Sequence, residues 1–182
     1  MRVLLPTRAD APPLPHSAVT QGERPPLDRD NPWPALDSFH EADHFFFRGR
    51  TEDTADLLRL VRRARVAVLY GVSGIGKSSL LEAGLFPALR EENALPISIR
   101  LDFLSEDPDL VGQVKQAIAL QSAAARVEAP IPNPGETLWE YFHRRGDSFW
   151  SASNLLVMPV LVFDQFKELF TLGRESRGDA SG

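Results

Sequence analysis

The sequence predicts an α/β fold in which helices flank a parallel sheet. Three observations carry that expectation. Short, almost wholly apolar runs, Val66 to Tyr70 and Val160 to Phe163, have the character of strands covered on both faces. Stretches with helical spacing of apolar residues alternate with them. The chain has 182 residues with 43% hydrophobic and 25% charged side chains, an ordinary globular balance sufficient for one domain.

In chain order, eight of the 15 prolines fall between Pro6 and Pro34. Proline fixes φ and removes a backbone donor, so residues 1–31 are expected to form a disordered or extended arm. Ordered sequence is expected from Pro32-Trp33-Pro34 onward, with Phe39, Phe45, Phe46 and Phe47 as core aromatics in a short helix and turn. Thr51 to Arg63 reads as a helix. Thr51 is its candidate N-cap, Glu52 and Asp53 lie in its first turn, Leu57, Leu58 and Val61 share one face, and Arg62 and Arg63 complement its end. The strand Val66 to Tyr70 follows, then a glycine-rich turn and a helix from Lys77 to Leu85 that Pro87 bends or ends. Pro96 to Phe103 reads as a second strand. Pro108 opens a helix of about 15 residues carrying Leu110, Val111, Val114 and Ile118. Ala129 to Gly135 is a loop, Glu136 to Arg145 a helix, and Val160 to Phe163 a third strand ending at Asp164, followed by a short helix to Leu172.

Composition narrows the function. The formal charge is −5, from 20 Lys and Arg against 25 Asp and Glu, so a phosphate-backbone binder is not expected. The aromatics Trp139, Tyr141, Phe142, Phe149 and Trp150 lack a basic groove beside them and read as core and rim residues. There is no cysteine, hence no disulfide, thiol nucleophile or cysteine zinc site. Neither the N-terminal residues nor the longest apolar run, Leu155 to Phe163 with Pro159 inside it, has the pattern of a signal peptide or membrane span. A soluble, cytoplasmic protein without membrane partners is expected.

One motif carries chemistry. Gly71-Val72-Ser73-Gly74-Ile75-Gly76-Lys77-Ser78 fits G-x-x-x-x-G-K-[ST], between an apolar run and a helical segment as the motif requires. Gly71, Gly74 and Gly76 let the backbone curl so that N–H groups, including that of Ser73, point at phosphate oxygens. The following helix adds its free amides and positive dipole end. Lys77 would neutralise the β- and γ-phosphates, the Ser78 hydroxyl would ligate Mg²⁺, and Ser79 would lie near the α-phosphate. A carboxylate at the end of another strand is expected to hold the metal. Asp164 has that position, and Asp102 is its competitor, read instead as a strand-end turn or cap. No N-K-x-D motif occurs, which tilts the nucleotide towards ATP over GTP.

Three blocks, Asn31 to Arg50 (NPWPALDSFHEADHFFFRGR), Val66 to Arg90 (VAVLYGVSGIGKSSLLEAGLFPALR) and Val160 to Phe170 (VLVFDQFKELF), resemble the novel-STAND branch of bacterial P-loop ATPases. The resemblance spans about Pro32 to Gly173. It implies a three-layer P-loop NTPase domain that binds ATP and Mg²⁺ within a signalling switch, where nucleotide state gates association with like chains. It places Arg50, in the Gly49-Arg50 box, against the nucleotide. It leaves Glu168 and Gln165 to orient water, with Lys167 where the family usually carries Glu. It also implies a later strand between the phosphate-loop strand and the Asp164 strand. Only the polar tail 174–182 follows, so residues 32–173 are expected to be the front part of the domain, truncated at its C-terminal side, with weak hydrolysis or none. A non-enzymatic, nucleotide-dependent interaction fragment is the alternative. A remoter one is zinc chemistry at His40-Glu41-Ala42-Asp43-His44, which fits H-E-x-x-H but has no Glu or His between Asp53 and Leu81 to complete a ligand set.

Overall fold

The structure is a computed structural model that describes residues 26–102 and 109–166. A 3₁₀ turn, Glu41–Asp43, leads to α1 (Thr51–Arg63). Then α2 (Lys77–Ser79), a π-helical segment (Leu80–Leu85) and α3 (Phe86–Glu91) run on as one continuous helix. They are followed by β1 (Ala94–Arg100), α4 (Leu110–Ala124), β2 (Val127–Glu128), α5 (Leu138–His143), β3 (Phe149–Ser151) and β4 (Leu156–Asp164).

The sheet has the order β1-β4-β3-β2. It is mixed, which corrects the expected parallel sheet: β1 and β4 pair in parallel, Ala94 opposite Met158 through Arg100 opposite Asp164, while β3 is antiparallel to both β4 and β2. The short strands β2 and β3 lie outside the strands that the sequence predicts. Alternate residues of β4 face two cores, as strand geometry requires. Val160 and Val162 pack on a cluster of Leu57, Leu80, Leu85, Phe86, Leu89 and Ala94. Leu161 and Phe163 pack on a cluster built around Leu95, Ile97, Ile99, Val114, Ile118, Tyr141 and Phe149.

Local chemistry explains most of the elements. α1 has the predicted bounds, but Arg50 is the N-cap and Thr51 the first helical residue. α4 starts at Asp109, whose carboxylate accepts the Gly112 N–H at 2.7 Å. α5 opens with a reciprocal box in which Thr137 accepts the Glu140 N–H and Glu140 accepts the Thr137 N–H. Those hydrogen bonds hold the Glu140 carboxyl below its usual range. Of the two outcomes expected at Pro87, a bend or an end, the end does not occur. The preceding π turn, closed by the Phe86 N–H on the Leu81 carbonyl, widens the backbone where a proline ring would otherwise clash, so the helix passes through.

The largest departure is at Val66 to Tyr70. The run belongs to no strand, and all five residues are exposed. An apolar run supplies the faces of a strand; its backbone still needs a neighbour, and among the described residues none pairs with it. Phe45 also departs from expectation, being 67% exposed, whereas Phe47 packs on the α1 side of the core. Among the described residues no helix is long and apolar enough to cross a membrane. Pro108, the helix after Asp164, Lys167, Glu168 and the tail 174–182 lie outside the described residues.

Candidate nucleotide site

The loop Gly71 to Gly76 joins the unpaired run Val66 to Tyr70 to α2. Gly74 and Gly76 have φ of +80° and +83°, in the left-handed region that side chains disfavour. Gly76 is the N-cap of α2, and its carbonyl receives the Leu80 N–H at 2.9 Å, starting the helix directly after the turn. Lys77 closes the loop on itself: Nζ donates to the carbonyls of Gly71 at 3.0 Å and Val72 at 2.9 Å. Its ammonium is therefore turned back over the loop.

Arg50 reaches the same loop from the other side. Its Nη1 donates to the Ile75 carbonyl at 3.1 Å, and its Nε pairs with Asp53. A Cβ added to Gly76 would lie 3.7 Å from that Nη1, so the guanidinium stands directly against the loop. Arg50 is anchored by Thr54, which donates from both its N–H and its hydroxyl to the Arg50 carbonyl, at 3.0 and 2.9 Å. Gly84 of the π segment leaves the room for Thr54: a Cβ there would sit 2.6 Å from Thr54 Oγ1 and 3.3 Å from the Phe47 ring.

Ser78 and Ser79 diverge. Ser78 is half-buried, and among the described residues its hydroxyl has no hydrogen bond, which leaves it available to a cation. Ser79 is buried, and its Oγ accepts the Phe39 N–H at 3.1 Å. This tie was invisible in the sequence, where the two residues are 40 positions apart. It belongs to a clasp that seats the leading segment on the loop's helix. His40 Nδ1 meets Glu82 at 2.6 Å and Nε2 meets Asp37 at 3.3 Å, while Arg90 forks onto Glu41 at 2.5 and 3.2 Å. The hydrogen bond to Glu82, aided by its charge and that of Asp37, holds His40 above its ordinary pKa against a partial desolvation.

That clasp accounts for the H-E-x-x-H match. His40 has extended backbone and precedes a 3₁₀ turn, so His40 and His44 do not share an α-helical face as the zinc motif requires. His44 Nδ1 meets the Glu41 carbonyl at 3.1 Å. Among the described residues no group of three His, Asp or Glu side chains could hold a metal ion.

Asp164 ends β4, exposed, with Oδ1 accepting the Gln165 N–H at 2.8 Å. Among the described residues no hydrogen bond joins it to the loop. Asp102 is engaged at the end of β1, where its N–H and carbonyl are both held by the Gln113 amide. Sequence reasoning missed the clasp partners Glu82 and Arg90. Their i, i+8 spacing on one helical face was the available signal.

No curated protein and no solved structure matches the chain. The family model described as Novel STAND NTPase 1 matches residues 32–180. That match takes in the leading segment, the glycine loop and β4, and the chain therefore belongs to the Novel STAND NTPase 1 family.

Proposed function

We propose that this chain binds Mg²⁺-ATP through Gly71 to Ser79 as the P-loop part of a bacterial STAND-type switch, the bound domain being residues 32–173. The observation that carries the proposal is the curled loop under Lys77, with Gly74 and Gly76 left-handed and the ammonium over the Gly71 and Val72 carbonyls. In this reading the main-chain amides of Ser73 through Ser79 receive phosphate oxygens. Lys77 leaves the two carbonyls for the β- and γ-phosphates, and the Ser79 side chain stays on Phe39. Arg50 adds a second positive charge against the same loop. The Ser78 hydroxyl, with Asp164 on the outer shell, would hold Mg²⁺, which neutralises charge between the terminal phosphates. Glu168 is the candidate for orienting water, with Lys77 stabilising the charge that develops. Lys167 in place of the usual acidic residue makes turnover slow or absent, so the nucleotide acts first as a bound ligand. The cell interior, where ATP is available, is the proposed location.

Titration calorimetry of Mg²⁺-ATP into the full chain tests the assignment, with phosphate release measured in parallel. Binding with slow release is expected. Failure of the wild-type chain to bind would overturn it.

A further inference from the structure

The guanidinium of Arg50 is held from behind as well as from the loop. Such a group carries five N–H donors in a rigid fork. Nε pairs with Asp53, and Nη1 donates to the Ile75 carbonyl at 3.1 Å. Among the described residues nothing else bonds to the fork, so both N–H groups of Nη2 and one of Nη1 are unengaged. The main chain is fixed separately. Thr54 fastens the Arg50 carbonyl and Gly84 admits Thr54, so the first turn of α1 rests on the loop and its helix at two points. Sliding α1 past the loop would break one of them.

That brace leaves the arginine side chain its rotamers, and Asp53 removes them. Three residues on along α1, its carboxylate lies on the same side of the first turn and takes Nε, the donor nearest the main chain. The far end of the fork then stands against Ile75 and Gly76. Stability alone does not account for the pair, because both side chains are partly exposed and such pairs contribute little. A carboxylate beside a phosphate site is also unfavourable in itself, since like charges repel. Orientation of the arginine is what the carboxylate adds.

We propose that Asp53 is a positioning residue for the loop, acting through Arg50 by holding the guanidinium where its unengaged donors meet phosphate oxygens. The proposal rests on the nucleotide reading above and adds to it the residue that orients the arginine. Ordering a rotamer-rich side chain on binding costs a factor of about 2–13 in affinity, and Asp53 removes that cost before ATP arrives. Its removal has two effects of opposite sign. Repulsion alone predicts a tighter ATP complex, and lost orientation predicts a weaker one. Salt screens the repulsion between exposed charges, so orientation prevails.

The test is calorimetric titration of Mg²⁺-ATP, at roughly 0.15 M salt, into the full chain and into Asp53→Ala, Arg50→Ala and the double variant. Asp53→Ala should weaken binding about threefold or more while Arg50 is present, and should not weaken it further in Arg50→Ala. Asp53→Asn, which keeps an acceptor for Nε, should bind more tightly than Asp53→Ala. Circular dichroism should show the variants folded. In NMR spectra the Arg50 Nε–H, identified by its loss in Arg50→Ala, should exchange with solvent faster in Asp53→Ala. Unchanged or tighter binding by Asp53→Ala overturns the proposal and leaves the nucleotide reading intact. So does an equal loss in both backgrounds, which would place the effect in the fold of α1. A wild-type chain that gives no heat overturns the nucleotide reading, and this proposal with it.

Discussion

Replacing Ser79 by alanine separates the scaffold of the loop from its ligand chemistry. The hydroxyl is buried and accepts the Phe39 N–H at 3.1 Å. Removing it leaves that donor without its acceptor, at a cost of about 1–3 kcal/mol for a buried group, and Phe39 is only partly buried, so the lower end applies. Alanine returns about 0.5 kcal/mol of helix propensity. The net loss is about 0.5–1.5 kcal/mol, which at about 2–4 °C per kcal/mol in a chain of this size lowers Tm by roughly 1–6 °C. Thermal denaturation followed by circular dichroism reads that shift, and calorimetry reads the affinity for ATP. Because Ser79 would meet phosphate only through its main-chain amide, the dissociation constant should move less than about threefold, under 0.7 kcal/mol. An unchanged Tm together with a tenfold weaker ATP complex would refute the reasoning.

Three further outcomes follow from the same geometry. Gly84→Ala gains about 1 kcal/mol of helix propensity but drives a Cβ into Thr54 Oγ1, an overpacking cost of about 1–3 kcal/mol, so urea denaturation should show a net loss; a gain in stability would contradict the close approach of α1. Arg50→Ala removes a partly exposed ion pair of small worth to stability, about 0.5 kcal/mol, yet should weaken ATP binding about tenfold; equal affinity would remove Arg50 from the site. His40 is held above 6.5 chiefly by Glu82, so the clasp contributes stability that is full below that value and fades as pH rises through the raised pKa; NMR titration of Glu82→Gln should move His40 back down, and an unmoved value would show that Glu82 is not the cause.

Local chemistry was legible in the sequence where the cause is local. α1 keeps its bounds because its acidic first turn, apolar face and basic last turn all lie within 13 residues. The glycine loop and the β4 carboxylate were equally readable from spacing. What escaped depends on partners distant in the chain. Val66 to Tyr70 reads as a strand from its composition, but pairing decides whether it becomes one. Pro87 reads as a bend or a stop, and the π turn that carries the helix through it leaves no mark in apolar periodicity. The short pairing of β2 with β3, Val127 opposite Ser151, has too few residues to show alternation. The match at His40 to His44 follows zinc spacing, while its geometry is set by Glu82 and Asp37. Gln113 looks like a surface residue of a helix, and only the strand end beside it reveals its use.

The central claim is that main-chain amides and one ammonium grip a triphosphate. Calorimetric titration of Mg²⁺-ATP into the wild-type chain and into Lys77→Ala tests it most directly. Loss of a charge-assisted contact of about 1.5–3 kcal/mol weakens binding at least about tenfold, and the variant should fall to no detectable heat while keeping its circular dichroism. Equal affinity in the two proteins would contradict the account.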